Sequence, residues 1–394
     1  MKLLIINDGS DYSNWGIQAC IDGLSSHFIK FFNKVDTVKH ILIHQIFEWD
    51  IRVFGKKLFS ENNRVMFKFS PVSILIPRVY DDFDEVAKKW QNGEGGKNSI
   101  KIISKIKECD VVVFNAEGST YRNNIGAIAG LFILWYSKKY FNKKSFFING
   151  SVTISSEVPR MPTMIKKCYE MIDGFAVREP YSYQELKDYL KSDFKLQFFP
   201  DSAFNVSLDK NQVNKSLKDR VNNFGEFVCF SRSMIRENPS AIGYLIKRLL
   251  DKGFKIIFFA KDETDQFIKQ YDKGSNTIFL NDKYNYHDIM FVLSKSKALI
   301  SGRYHHLIFS LKQGTPVVML NTSSHKIIGL NNMYKDFFSR VFEPGNLYNE
   351  TEFIIDELKR VIKSNERTEI LRLSENYNNE FNKMGPWLLK NKKI

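Results

Sequence analysis

Long apolar runs are missing from this chain. The longest, residues 125–136, is about a dozen residues, short of the roughly 20 that cross a bilayer as a helix, so no helical membrane span is expected. At the start, only Leu3-Leu4-Ile5-Ile6 is apolar before Asn7-Asp8 ends the run, too little for a secretory signal and more like a first buried strand. Cysteine is scarce: Cys20, Cys109, Cys168 and Cys229 are far apart and form no Cys-x-x-Cys pair. That argues against a disulfide framework or a zinc site and for buried, reduced thiols in a cytoplasmic protein. There is no Gly-x-Gly-x-x-Gly fingerprint and no Walker-type loop, which weakens a nicotinamide or NTPase reading. No internal repeat stands out. Acidic residues are outnumbered, 44 against 58 Lys and Arg, leaving a net charge of +14. Such an excess favours anionic partners, although the lysines are spread along the chain and serve solubility equally well. No arginine-rich groove or nucleic-acid motif accompanies it, and the 34 Phe, 17 Tyr and 5 Trp mostly sit inside apolar runs. A nucleic-acid partner is therefore not expected.

What the 394 residues do contain is alternation. Short apolar runs at 3–6, 39–44, 111–115, 145–148, 174–177 and 196–199 are separated by helix-like stretches at 17–33, 125–141 and 181–190. After a polar segment, 207–226, the pattern restarts with runs at 227–231, 255–260, 277–280, 298–301 and 316–320, and helix-like stretches at 240–252, 287–295 and 307–313. Strands separated by helices predict parallel sheets joined by right-handed crossovers. The fold class is α/β, with two doubly wound Rossmann-like domains, 1–206 and 207–362, facing across a cleft that is the expected ligand site. Residues 363–394 read as a C-terminal helix and basic tail, Lys390-Asn391-Lys392-Lys393, packing back on the N-terminal domain. Residues 77–100, acidic and then glycine-rich, are expected to form a mobile loop.

The most informative stretch is Ala298-Leu-Ile-Ser-Gly-Arg-Tyr-His-His-Leu-Ile-Phe-Ser-Leu311, closed by Gly314-Thr-Pro-Val317. It reads as a strand, a glycine-bearing turn and a helix start, which is where α/β sheets hold ligands and where helix N-termini favour anions. Arg303 and His305 placed there make a phosphate or carboxylate site with a proton donor beside it. His306, adjacent, would point away and take a packing or orienting role. A second strand end is Ala116-Glu117-Gly118-Ser119, either a close approach to ligand or an ordinary tight turn; a third is Asn7-Asp8-Gly9-Ser10, with Asn14-Trp15-Gly16 opening a helix. Arg178, after the strand ending at Val177, suits a carboxylate or phosphate, unless it pairs with Glu179 or Glu185. Asp201 could ligate, cap, or orient Arg178. Arg232 and Lys261 end the first two strands of the second half, and His325 and Lys326 follow the strand ending at Leu320; all could reach the cleft.

Together these segments resemble the polysaccharide pyruvyl transferase family. The matching pieces are Asn14-x-Gly16, Glu117-Gly118-Ser119, Val177-Arg178-Glu179 with Ser182 and Leu186, Pro200-Asp201, Phe230-Ser231-Arg232, Ser301-Gly-Arg-Tyr-His305 and Gly314-Thr-Pro-Val317. The chain departs from the family's frequent double-glycine turn at Ala116-Glu117-Gly118. The resemblance implies an architecture similar to B-type glycosyltransferases, and transfer of the pyruvyl unit of phosphoenolpyruvate onto two sugar hydroxyls as a cyclic ketal, in bacterial capsule or other cell-surface glycan synthesis. It further implies a donor held by Arg178, Arg303, Arg232, Ser301 and Lys326, with His305 and Arg303 catalytic. Asp8, Asn14, Glu117, Ser119 and Asp201 would then serve the acceptor or orient other groups. The donor side would be 207–362 and the acceptor side 1–206, with no cofactor and no metal. The acceptor would be a sugar or a lipid-linked oligosaccharide, with peripheral association at the inner membrane face permitted by the positive charge. The competing expectation is a B-type-fold glycosyltransferase using a nucleotide-activated sugar.

Overall fold

The computed structural model describes residues 1–7, 14–38, 74–120, 124–154, 160–232, 239–260, 268–271, 274–281, 283–322, 325–338 and 340–390. Two six-stranded sheets organise them, and every strand pairing is parallel. The first contains β1 (Lys2–Ile6), β2 (Lys34–Val38), β3 (Val111–Thr120), β4 (Lys144–Val152), β5 (Gly174–Val177) and β6 (Leu196–Phe198). The second contains β7 (Val228–Ser231), β8 (Ile256–Phe259), β9 (Thr277–Leu280), β10 (Leu299–Ser301), β11 (Val317–Leu320) and β12 (Val341–Phe342). Strands β5, β7, β8, β10 and β11 are buried along their whole length, as continuous apolar runs must be when helices cover both faces of a parallel sheet.

Strand order decides where ligands can go. The sheets run β2-β1-β3-β4-β5-β6 and β12-β11-β10-β7-β8-β9. The direction of travel reverses once in each, between β1 and β3 and between β7 and β10. At such a switch point the crossovers leave to opposite sides and open a crevice beyond the carboxyl ends of the strands. Ser301 pairs in register with Ser231 across the second switch, and Ile6 with Phe114 across the first.

Three expectations need correction. The second strand in sequence order is β2 at 34–38; the run at 39–44 lies outside the described residues. Strand β12, only Val341–Phe342, was not anticipated, because two residues carry no readable period. Residues 77–100 are not a loop: they hold the helix Phe83–Gln91 and the start of the helix Lys97–Glu108. Phe83, Val86, Ala87 and Trp90 recur at helical spacing and are buried. Trp90 meets Phe132 edge-on at 5.0 Å, and Phe83 meets Trp135 at 5.2 Å. These contacts also account for the longest apolar run, since the helix Ile125–Phe141 is buried all round from Gly126 to Ser137.

The helix Trp15–Ile29 belongs to both halves. Leu24 and Phe28 pack with Leu3 and Ile5 of the first sheet, whereas Trp15, Ala19 and Cys20 join the core of the second. Trp15 donates its Nε1–H to the carbonyl of Tyr284 at 2.6 Å. At the other end of the chain, the helix Leu347–Lys363 packs on the second sheet, and Phe381, Met384 and Leu388 return to the first. No helix among the described residues is long and apolar enough to cross a membrane.

Candidate active site

Towards the carboxyl edge of the first sheet, asparagines stand on or just after three neighbouring strands. Asn7 follows β1, Asn115 lies in β3 and Asn149 in β4, all buried. Asn7 donates to the carbonyl of Asn115 at 2.6 Å, and Asn149 donates to the Asn115 side-chain oxygen at 3.0 Å. Asn7 and Asn149 have φ of +68° and +54°, a region asparagine tolerates because its short amide can bond locally. Glu117 has φ of +46°, a strained conformation for a glutamate. Its carboxyl accepts from Asn115 at 3.2 Å. Burial pushes the Glu117 carboxyl up to about 7, against the pull of Arg178.

The same edge carries a buried ion pair. Arg178 follows β5 and Asp201 follows β6; their side chains are 1% and 0% exposed. Arg178 donates Nη1–H to Asp201 Oδ2 at 2.7 Å and Nε–H to Ser151 Oγ at 2.8 Å, and its guanidinium lies 4.6 Å from the Tyr304 ring centre. Asp201 Oδ1 accepts from the Ala203 amide at 2.8 Å and from the Cys20 thiol at 3.2 Å. Burial by itself would raise the Asp201 pKa; Arg178, with help from His305, overrides it and holds the carboxyl well below the usual range. The alternative pairing of Arg178 with Glu179 or Glu185 does not form. Glu179 is wholly buried and makes no well-formed hydrogen bond through either oxygen, although Ser151 lies near enough to favour its ionised form. Burial holds its pKa at about 7.

The second sheet contributes through the helix Tyr304–Lys312, which begins immediately after β10. His305 in its first turn places Nε2 3.2 Å from Cys20 Sγ and 3.7 Å from Asp201 Oδ2. Burial lowers its pKa while Asp201 works in the opposite direction. The other edge of the ring lies against Gly16: a Cβ there would come within 2.0 Å of His305 Nδ1. A residue with a side chain at position 16 and His305 in this pose are mutually exclusive. His306 turns away, with Nδ1 3.0 Å from Ser231 Oγ and its ring against Trp15 and Phe259.

A further basic group comes from the helix Lys326–Met333. Lys326 is held down to about 8, first by burial and then by Arg178. His325, just before it, stacks on Tyr181 at 4.5 Å and lies 2.9 Å from Ser182 Oγ and 3.0 Å from Thr153 Oγ1. Burial, then Arg178, lowers its pKa to about 4, so it is neutral at pH 7. Close packing of this helix on the first half depends on Gly329, where a Cβ would meet Glu179 Cγ at 2.6 Å.

The structure thus brings Arg178, Asp201, His305, Glu117 and Lys326 into one electrostatically coupled group. Arg303, partly buried, stands at the N-cap position of the helix Tyr304–Lys312 without a capping hydrogen bond from its side chain, and Arg232 follows β7, also partly buried. The Ser301 hydroxyl is taken up by Ser231 at 2.6 Å and by the Arg303 amide at 2.9 Å. Asn14 is exposed and caps the helix Trp15–Ile29 through the amides of Gly16 and Ile17. Asp8, Lys261 and the Ser119 side chain lie outside the described residues. Sequence reasoning missed Cys20, Glu179, Tyr304, Asn115 and Asn149 as members of the site. The asparagines were findable, being polar residues at the ends of apolar runs; Cys20 carried no signal.

The fold so assembled, two Rossmann-like domains facing across a cleft, is that of the B-type glycosyltransferases. Similar solved structures include UDP-GlcNAc 2-epimerase from Neisseria meningitidis bound to UDP-GlcNAc, at 14% identity and TM-score 0.60 over 99% of this chain and 100% of that one. UDP-N-acetylglucosamine 2-epimerase from Rickettsia bellii matches at 13% and 0.58, over 99% and 96%. Phytolacca americana UGT2, complexed with UDP-2fluoro-glucose and pterostilbene, matches at 10% and 0.56, over 99% of both chains. At these identities the likeness is one of fold. No curated protein matches the chain. The family model of polysaccharide pyruvyl transferase matches residues 30–324, most of the chain, which therefore belongs to this family of transferases. The matched span holds every motif quoted above except the Asn14-x-Gly16 turn.

Proposed function

We propose that this enzyme transfers the pyruvyl unit of phosphoenolpyruvate onto two hydroxyls of a sugar, closing a cyclic ketal during synthesis of a bacterial cell-surface polysaccharide such as a capsule. The observation that carries this reading is the family match across residues 30–324, which includes Arg178, Asp201, Arg303 and His305. The acceptor is a sugar or lipid-linked oligosaccharide, met in the cytoplasm or at the inner face of the membrane. No cofactor is required beyond the donor. Residues 1–206 serve the acceptor and residues 207–362 the donor.

The chemistry of the site supports the assignment. Phosphoenolpyruvate carries up to three negative charges, and Arg303, Arg232 and Lys326 offer the compensating charge beside the buried Arg178. Protonation of its methylene carbon leaves an oxocarbenium-like centre that the first hydroxyl attacks; phosphate departs, and the second hydroxyl closes the ring. Two protons leave the hydroxyls, while one is kept on the new methyl group and one leaves with phosphate. The site must therefore give and take protons near neutral pH. His305 suits the acid: burial keeps it neutral at rest, and a trianionic donor beside it favours the charged form. Glu117, held at about 7, suits the base for the acceptor hydroxyl.

Phosphate release from phosphoenolpyruvate, measured over a panel of synthetic and lipid-linked sugars, tests the reading. Acceptor-dependent release is expected, reduced by roughly 10²–10⁴-fold in His305→Ala. Thermal stabilisation by nucleotide sugars but not by phosphoenolpyruvate would favour the glycosyl alternative, and turnover of a nucleotide sugar would overturn the proposal.

A further inference from the structure

We propose that Cys20, Asp201 and His305 form a binding site for a borderline divalent cation, zinc above all, and that the bound cation silences His305. The three side chains come from separate elements: the helix Trp15–Ile29, the turn after β6 and the first turn of the helix Tyr304–Lys312. One ligand atom from each lies within 4.8 Å of the others. Sγ stands 3.2 Å from Nε2 and 3.2 Å from Oδ1, and Nε2 stands 3.7 Å from Oδ2. A tetrahedral zinc with ordinary bond lengths to sulfur, nitrogen and oxygen separates its ligands by about 3.3–3.6 Å. The Sγ–Nε2 spacing is within a few tenths of an ångström of one tetrahedral edge, and the Asp201 carboxylate, whose two oxygens now face the two partners separately, turns to present one oxygen to the cation.

The donor set selects the metal. Thiolate, imidazole and carboxylate together suit zinc and its neighbours, whereas magnesium and calcium take oxygen ligands. An outer shell is already built, with the Ala203 amide on Oδ1 and Arg178 on Oδ2 of Asp201. Partners of this kind orient a ligating carboxylate. Three protein ligands leave a fourth position for water on the side of the partly exposed His305.

Binding needs no co-reactant. The Cys20 thiol releases its proton to solvent as the sulfur–metal bond forms, and the imidazole keeps its proton on Nδ1 so that Nε2 offers its lone pair. A ring coordinated through Nε2 cannot take up a second proton, so His305 can no longer cycle between neutral and charged forms. The cation is thus an inhibitor. The inhibition rests on the acid–base role proposed for His305; the site itself does not.

Cobalt(II) titration of the full chain, followed by absorption, tests the site. The expected result is one equivalent bound, with a thiolate-to-cobalt charge-transfer band that zinc abolishes. Cys20→Ser should lose the band while keeping the circular dichroism of the wild type. His305→Gln should weaken zinc binding by more than the roughly 10–100-fold that loss of an outer-shell partner causes. No band in the wild type, or a band that persists in Cys20→Ser and so belongs to another cysteine, overturns the site. Should Cys20→Ser fail to fold, unchanged zinc affinity in His305→Gln overturns it instead. Zinc inhibition of phosphate release, reversed by a chelator, is expected; binding without inhibition overturns the silencing of His305.

Discussion

Asp201 and Glu179 are both buried and both feel Arg178, yet their pKa values move in opposite directions. Asp201 takes a direct 2.7 Å hydrogen bond from the guanidinium, and its folded pKa is depressed. Its stabilising contribution is complete above an unfolded pKa of about 3.9 and is lost as pH falls towards the folded value. Asp201→Asn leaves Arg178 buried and unpaired, so a loss of about 3–5 kcal/mol is expected in urea unfolding at pH 7, with a shallower acid limb than the wild type. Glu179 has no such bond, and its pKa is raised from 4.5 to about 7. The sign is therefore reversed: its contribution is complete below 4.5 and is lost as pH rises through 7. A shift of that size corresponds to about 3 kcal/mol. Glu179→Gln should then be the more stable protein at pH 8, by up to roughly that amount, with a flatter stability profile between pH 5 and 8. Parallel profiles for the two proteins would show that Glu179 does not titrate there. The Asp201 partnership was open in the sequence, which offered Asp201 as a residue that could orient Arg178; the raised Glu179 was not legible, because adjacent arginine and glutamate read as a ready-made pair. The choice of Asp201 over Glu179 was made by the strand that brings residue 201 alongside.

Among the elements, the helix Trp15–Ile29 matters most to the site. Its N-terminus is set locally, by Asn14 capping the amides of Gly16 and Ile17, and that much is readable from an Asn-x-Gly turn. Its function as one wall for His305 is not. Gly16→Ala places a methyl group where Nδ1 of His305 lies, so the imidazole must move or the helix must shift. The expected outcome is a modest loss of stability, about 1–3 kcal/mol as for other overpacked sites, with a far larger fall in phosphate release than the change in melting temperature explains. A variant as active as the wild type would show that His305 does not need this pose. Elements were readable where a period was clean. Strand runs at 174–177 and 277–280 coincide with β5 and β9. The helix Phe83–Gln91 was hidden only by the acidic and glycine-rich composition around it; its apolar spacing of three and four residues was present throughout.

Taken as a whole molecule, the chain closes on itself twice. The helix Trp15–Ile29 reaches into the second core, and the last helix returns to the first sheet, where Trp387 packs 5.1 Å from Phe146 and 5.4 Å from Phe199. Trp387→Ala removes a half-buried aromatic contact of that return and should cost about 1–3 kcal/mol in denaturant unfolding. A cost under 1 kcal/mol would mean that the returning helix is not integral to the first half. Period and composition are local properties, so the sequence alone determined the parallel α/β class, the two-sheet plan and the family motifs around Arg178, Arg303 and His305. Tertiary structure decided which of those side chains meet and what charge each carries. Cys20 and His305 are 285 positions apart, and Arg178 finds Asp201 only because β5 and β6 are neighbours. The buried pKa values follow from desolvation and from these partners, neither of which exists until both sheets are folded and packed together.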